Sequence, residues 1–424
     1  MIENYKGKKV TVVGLARSGV AAARLLSNLG SEVYVTDSAG NEKLKGIAGD
    51  LKSRGIFVEI GKHSIDFIRN KDLVVTSPGV SSKSQPLLWA DELKVPVVSE
   101  IELSWSVCPA TVIAITGTNG KTTVTTLVAK VLEAAGRKVW TLGNIGKPFS
   151  QEVMSMHSDD FVSLEVSSFQ LEKIAAFKPK VSVILNFTCD HLDRYKDMLE
   201  YLTAKKRIFM NQTREDYLVL NYDDPVLRDL AKETKANVIF FNASSKSQDA
   251  GRNLNPNHYA VMAVAKIFGI SEDSCKEVFQ NFKGVEHRLE QVRIINNIEF
   301  INDSKATNVD SVVWALNNMQ KPVILIAGGR DKNSDYRAIS DLIKQKVKLI
   351  VLIGEAKEKI RAAFLGLLPI AEASSLEEAI KESFRRAQSG DCVLLSPMCA
   401  SFDCFENYEH RGMVFKEVVN KLKK

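Results

Sequence analysis

Short apolar runs recur along this chain, and each stops at a glycine or a polar residue before a stretch with helical spacing begins. Residues 8–15 predict a strand that ends at Gly14; Arg17-Ser18-Gly19 then leads into an alanine-rich helix over Val20–Leu29, and Glu32–Thr36 predicts a second strand ending at Asp37. Leu73–Thr76 and Val95–Ser99 continue the series, with Glu100-Ile101-Glu102 as a connector. A second series comprises Thr111–Thr116, Lys138–Thr141, Asp160–Glu165, Val181–Leu185 and Tyr217–Leu220, with a helix to Ala135 and another over Lys196–Asn211. A third begins near Gln291, with strands Ile298–Asn302, Val323–Ala327, Leu349–Ile353 and Cys392–Leu395 and a helix over 310–318. Short buried strands alternating with amphipathic helices imply parallel sheets. The polar, Asn/Ser-rich stretch 242–258 predicts a loop.

The pattern divides into an α/β chain of three domains: a Rossmann-like domain over 1–103, a central phosphate-loop ATPase domain with a mostly parallel sheet over 104–290, and a second Rossmann-like domain over 291–424. Length agrees, since 424 residues at about 150 per domain suggest roughly three. Hydrophobic content of 45% and charged content of 25% are those of a globular protein with real cores. A net charge of +6 without a basic stripe suits small anionic substrates and argues against a nucleic-acid partner. Six cysteines form no C-x-x-C pair, so neither a disulfide framework nor a zinc site is expected. The chain runs early into a strand, and its apolar runs are too short for a leader core or a membrane span. A cytoplasmic location follows as the expectation.

The densest chemistry lies at Gly117-Thr118-Asn119-Gly120-Lys121-Thr122-Thr123, between an apolar strand and a helical pattern. Strand, glycine turn and helix start form a phosphate-binding loop. Backbone amides close on phosphate oxygens, Lys121 supplies a full charge, and Thr122 supplies a hydroxyl for Mg²⁺. The general pattern wants glycine at 115, where this chain has Ile115. A strand-to-helix turn with a solvent-facing lysine is the plain alternative. Glu165 closes an apolar strand, a place suited to a metal-holding carboxylate, and a solvated strand-end charge is the alternative there. In the first βαβ unit Ala16 replaces the middle glycine of a dinucleotide fingerprint, which hinders pyrophosphate approach and disfavours NAD. Asp37 sits at the spacing of a ribose or base contact.

Taken in order, the motifs GTNGKTT, GNIG, LEVSSFQLE, DHLDRY, AKKRIF, EHRLE, NDSKATN, GGRDK and SPMCASFDCFENYEHRG resemble those of the Mur ligases of peptidoglycan synthesis. The resemblance spans all three domains. It implies an ATP-dependent amide ligase that works through an acyl phosphate and a tetrahedral intermediate. The N-terminal half is similar to the members that add D-glutamate to UDP-N-acetylmuramoyl-L-alanine. By resemblance, Gly117–Thr123, Asn144, Arg288, Asp303 and Lys305 contact ATP, while Thr122, Glu165 and His191 hold two Mg²⁺ ions. Thr307, Lys332, Ser401 and Tyr408 take D-glutamate, although an aromatic at 408 also suits packing alone. Arg17, Ser18, Asp37, Ser38, Ser77 and Gly79 line the UDP-precursor end.

Lys205 is the unusual member, because the matching family lysine carries a CO₂-derived carbamate near the metals. An unperturbed lysine is neutral in roughly one molecule in 2,500 at pH 7, so such a site must favour the neutral amine and then stabilise the carbamate. Lys206 beside it is the natural solvated lysine. One departure stands out: the family's H-N-x-x-N run near adenine is shifted here, and Pro256 falls inside it, so no adenine contact is assigned over 251–258. A Mur-type ligase for another amino acid and a phosphate-loop regulatory ATPase remain open at this level. A nicotinamide-dependent dehydrogenase also remains, weakened by Ala16 and by the absence of an identifiable proton donor. A monomer is expected.

Overall fold

A computed structural model describes residues 4–192, 194–242 and 254–423. Three α/β domains are each built on one sheet. The first sheet contains β1 (Lys9–Val13), β2 (Glu32–Asp37), β3 (Phe57–Ile60), β4 (Leu73–Thr76) and β5 (Val97–Ser99), all parallel, in the order β3-β2-β1-β4-β5. The order reverses between β1 and β4, which opens a crevice at their carboxyl ends. The second sheet is also parallel. It contains β6 (Thr111–Thr116), β7 (Val139–Gly143), β8 (Phe161–Glu165), β9 (Val181–Ile184), β10 (Tyr217–Asn221) and β11 (Asn237–Phe241), ordered β11-β10-β9-β6-β8-β7. The third contains β12 (Glu290–Ile295), β13 (Ile298–Asn302), β14 (Val323–Gly328), β15 (Val347–Ile353), β16 (Ile370–Glu372) and β17 (Cys392–Leu395). Its order is β12-β13-β17-β14-β15-β16, with only the β12–β13 pair antiparallel.

The chain groups into two compact units. Met1–Phe187 and Leu199–Asn281 form one, Thr188–Met198 and Phe282–Lys424 the other. The first two sheets therefore belong together, and the segment carrying Asp190 and His191 packs with the third. Within the first unit, helix Arg17–Asn28 packs on helix Phe149–Glu152 in a single hydrophobic core. The connector expected over Glu100–Glu102 is in fact a helix, Glu100–Ser106. Both glutamates are buried. Glu102 accepts the amides of Ala175, Ala176 and Phe177 at 2.9, 2.8 and 2.9 Å, and Glu100 accepts that of Ser150 at 2.7 Å. The partners of both carboxylates are backbone amides from 150 and 175–177, far along the chain, which the local sequence does not show.

Other boundaries also shift. The first helix begins at Arg17 instead of Val20. The helix expected over Lys196–Asn211 is α-helical over Met198–Lys206 and 3-10 over Arg207–Phe209. The loop expected over 242–258 gives way to a helix at Pro256–Ile267, and 243–253 lie outside the described residues. Pro256 starts this helix and does not break it: a first-turn proline has no amide to lose, and Asn255 caps the Asn257 and His258 amides. Strand β12 was missed because it is a half-exposed edge without clean alternation. Its hairpin signal was present in Asn296-Asn297, whose φ of 51° and 62° are those of a tight two-residue turn.

Candidate active site

The phosphate loop follows β6 at the centre of its sheet. Ile115 still lies in the ladder, in register with Glu165 on β8 and Val183 on β9, so the turn starts only at Gly117 and needs no glycine at 115. Gly117 has φ +153° and Gly120 φ +82°. A side chain on Gly120 would collide with the Asn257 amide oxygen, so the start of helix Pro256–Ile267 lies directly on the loop. Helix Lys121–Ala134 then begins without a side-chain cap, which leaves first-turn amides facing the loop. The Lys121 ammonium donates to the carbonyls of Gly117 and Thr118 at 2.9 and 2.7 Å. It therefore folds over the loop instead of facing solvent. Thr118 and Thr122 are buried, and Asn119 and Thr123 half-buried.

Glu165 ends β8 and is buried. Its Oε1 accepts from the Asn144 side-chain amide at 3.1 Å, and its carbonyl accepts the Asn144 amide at 2.9 Å. Gly143 permits this approach: its φ is +104°, and a Cβ there would strike the Glu165 carbonyl oxygen. Two buried oxygens at the sheet's carboxyl edge, Thr122 Oγ1 and Glu165 Oε2, have no hydrogen-bond partner among the described residues. A hydroxyl and a carboxylate oxygen are the hard donors Mg²⁺ takes, so the residues present fit a divalent cation.

Lys205 is 1% exposed. Its amine donates to the Gly117 carbonyl at 2.8 Å and stands 4.5 Å from the centre of the Tyr201 ring. Lys206 instead turns outward into an ion pair with Glu233. Only the first lysine reaches the phosphate loop.

At the crevice of the first sheet, Arg17 and Ser18 occupy the first turn of a helix whose start lacks a side-chain cap. Arg17, Ser38 and Gly79 are exposed and Ser18 half-buried. Asp37 and Ser77 are placed differently. The Asp37 carboxylate accepts the amides of Leu15 and Ala39 at 2.7 and 2.8 Å, and the buried Ser77 hydroxyl donates to the Gly14 carbonyl at 3.1 Å. Both side chains shape the loop after β1.

The second unit assembles the remaining residues. Asp303 is fully buried, 3.8 Å from Arg288, and accepts from Ser396 Oγ at 2.9 Å and the Leu289 amide at 3.3 Å. The Lys305 amine donates to the Tyr408 hydroxyl at 2.8 Å and lies over its ring. Asp190 accepts from the Asn308 amide at 2.9 Å and from Lys332 at 3.4 Å, and lies 3.6 Å from the His191 ring. His191 has φ +58°. Thr307 is half-buried, and the buried Ser401 hydroxyl has no partner among the described residues.

Sequence reasoning missed Arg411 as an organiser of this unit. It is 1% exposed, and its guanidinium donates to Ser304 Oγ at 3.0 Å, the Ser304 carbonyl at 2.9 Å and the Cys399 carbonyl at 3.2 Å. Burial pushes it down to about 10, so it remains cationic at neutral pH and ties the NDSK loop to the turn before Ser401. Glu286, His287 and Glu290 cluster like metal ligands, but the Lys416 ammonium already bridges the two carboxylates at 2.7 and 2.6 Å.

Burial pushes the Asp303 carboxyl from 3.8 up to about 6, opposed by Arg288, Ser396 and the Leu289 amide. The fold favours its neutral form. That contribution is intact below the ordinary carboxylate range and is lost as pH rises through about 6, a change of roughly 3 kcal/mol. Asp303→Asn abolishes the titration. The thermal midpoint of this variant, relative to wild type, is therefore expected to rise between pH 4 and 7. A constant offset across that range would contradict it.

Three family models match this chain. A Mur ligase MurD-like N-terminal domain covers 8–99, a Mur ligase middle domain 115–286, and a Mur ligase glutamate ligase domain 287–399. The chain is similar to the UDP-N-acetylmuramoylalanine--D-glutamate ligases of Caldicellulosiruptor bescii and Chloroherpeton thalassium, at 42% and 40% identity, with 99% of each chain covered. Among solved structures it resembles the UDP-N-acetylmuramate-alanine ligase of Thermotoga maritima, with TM-score 0.63, 18% identity and coverage of 98% of this chain and 100% of that one. A MurF ligase from the same organism in complex with ADP gives TM-score 0.63 at 15% identity, covering 92% and 95%. At such identities these structures bear on the fold alone.

Proposed function

Because this chain belongs to the Mur ligase family, we propose that it is an ATP-dependent ligase joining D-glutamate to UDP-N-acetylmuramoyl-L-alanine in peptidoglycan synthesis. The observation that carries the chemistry is the pair of unpartnered buried oxygens, Thr122 Oγ1 and Glu165 Oε2, on elements next to a phosphate loop. A ligase that activates a carboxylate must neutralise a transferring phosphoryl group, and a hydroxyl and a carboxylate oxygen are donors that suit the cation for that task.

Chemically, a carboxylate oxygen of the UDP-precursor attacks the γ-phosphorus of ATP, the β–γ bridging bond breaks, and ADP leaves. The amine of D-glutamate then adds to the acyl carbon, and the tetrahedral intermediate expels phosphate. The protein's work is alignment and charge neutralisation. Magnesium, when bound, spreads the developing negative charge of the phosphoryl oxygens. Thr122 and Glu165 would hold it, with His191 as a further ligand. Asn144 fixes one Glu165 oxygen so that the other points away. Lys121 exchanges the Gly117 and Thr118 carbonyls for the β- and γ-phosphates, and the first helical turn donates amides to them. Arg288 and Lys305 contact the nucleotide, and the buried Asp303 acts through Arg288 and the Leu289 amide that it holds. Thr307, Lys332, Ser401 and Tyr408 take the two carboxylates of D-glutamate. Arg17, Ser18, Asp37, Ser38, Ser77 and Gly79 take the UDP-precursor, with Asp37 and Ser77 acting through the loop they shape.

A carbamate on Lys205 belongs to this reading. After addition of CO₂ the nitrogen keeps one hydrogen, so its bond to the Gly117 carbonyl survives while the side chain gains an anionic oxygen pair. Domain boundaries at 103/104 and 290/291, a cytoplasmic site of action and a monomeric enzyme complete the proposal. Among the described residues, no helix is long and apolar enough to cross a membrane. A panel of amino acids in an ADP-release assay tests the assignment. ADP is expected only with the UDP-precursor and D-glutamate together, and not with L-alanine, L-glutamate or diaminopimelate. Release that is equal with and without amino acid would point to a regulatory ATPase.

A further inference from the structure

The segment that follows β9 holds the phosphate loop from the side. Its Asn186 side chain forms a two-way amide pair with the backbone of Asn119: Oδ1 accepts the Asn119 amide at 2.8 Å, and Nδ2 donates to the Asn119 carbonyl at 3.1 Å. The Asn186 carbonyl also accepts the Thr118 amide at 3.1 Å. Three hydrogen bonds thus run from one residue to the two central loop positions. Asn186 is itself pinned. On one side the Asn221 side chain donates to the Leu185 carbonyl at 3.3 Å. On the other, the Phe187 amide donates to Asp224 at 2.9 Å, and Asp224 also caps the next helix. The Phe187 ring lies 5.4 Å from Tyr201, the ring under Lys205.

We propose that Asn186 is a positioning residue for nucleotide binding, which imposes on the Thr118–Asn119 turn the shape that receives ATP. The inference rests on the ligase reading of the same loop. A side-chain amide is the group that suits the task. It turns an N–H donor and a carbonyl acceptor the same way, as the N–H and C=O of one strand residue do, so it mimics a neighbouring strand where the ladder has ended. With the Thr118 and Asn119 amides engaged by Asn186, phosphate oxygens are received by the amides of the helix's first turn and by Lys121. The clamp fixes the loop before nucleotide arrives, so the ordering cost is not levied on binding.

Asn186→Ala removes both side-chain bonds. Its Kd for Mg²⁺-ADP, measured by calorimetry on the full chain, is expected to rise about tenfold, as for the loss of one to two net hydrogen bonds. KM for ATP should rise in parallel. At saturating ATP, kcat is expected to stay within about twofold of wild type, with KM for the UDP-precursor and D-glutamate unchanged. Hydrogen exchange at the Asn119 amide should accelerate in the nucleotide-free protein. Asn186→Ser, polar but too short to reach Asn119, is expected to match it and serves if the alanine variant does not fold. A variant that binds ADP as tightly as wild type, or loses kcat with KM for ATP unchanged, would overturn the proposal. A wild-type chain that binds no nucleotide would overturn both this inference and the ligase reading.

Discussion

Lys205→Ala is expected to lower kcat by on the order of a thousandfold, as befits loss of a charged group that organises the phosphoryl-transfer site, with added bicarbonate giving no recovery. The expectation starts from placement. Lys205 is buried and its nitrogen lies 2.8 Å from the Gly117 carbonyl, whereas Lys206 is paired with Glu233 at the surface. Lys205→Arg separates two roles. An arginine keeps the positive charge but cannot form a carbamate, so a site that needs only a cation would retain much of its rate. If the lysine serves as an anion, Arg and Ala should fail alike. Carbon-13 NMR of wild type in labelled bicarbonate is expected to show a carbamate signal that is missing from both variants. Near-normal turnover in Lys205→Ala would remove this residue from the account.

Glu165→Gln is expected to reduce kcat by about 10²–10³ and to raise the Mg²⁺ concentration for half-maximal rate at least about tenfold. The substitution is nearly isosteric, and a glutamine oxygen can still accept from Asn144 as Oε1 does at 3.1 Å. The change falls on the other oxygen, which is buried without a partner among the described residues. There a carboxylate oxygen becomes a neutral amide nitrogen, which cannot ligate Mg²⁺. Because β8 keeps its ladder to β6, the fold should be retained. Mg²⁺ titrations of the rate decide the matter, and an unchanged half-saturation would show that Glu165 holds no metal.

What could be read in the sequence is what is local. A glycine turn between an apolar strand and a helix start, with Lys121-Thr122 at its end, needs no knowledge of topology, nor does a carboxylate that closes a strand. The register choice of Lys205 over Lys206 came from the motif and not from periodicity, since the helix carrying them has no strongly apolar face. Illegible features depend on chain separation. Asn186 meets Asn119 across 67 positions and Arg411 meets Ser304 across 107, so each reads alone as an ordinary loop or surface polar residue. Glu100–Glu102 reads as a connector because nothing in the neighbourhood of Glu102 announces three amides from 175–177. Pro256 falls within the stretch 242–258 that reads as a loop, yet it starts a helix there. Asn308 and Lys332 hold Asp190 across 118 and 142 positions, contacts that the residues around Asp190 do not announce.

The central claim is that ATP is spent on making the precursor's carboxylate into an acyl phosphate. Turnover with UDP-N-acetylmuramoyl-L-alanine labelled with oxygen-18 in that carboxylate tests it most directly. One labelled oxygen should depart with each phosphate, because the oxygen that attacks phosphorus is the one expelled when the amide forms. Phosphate released without label would mean that water, not the carboxylate, receives the phosphoryl group, and the ligase account would be contradicted.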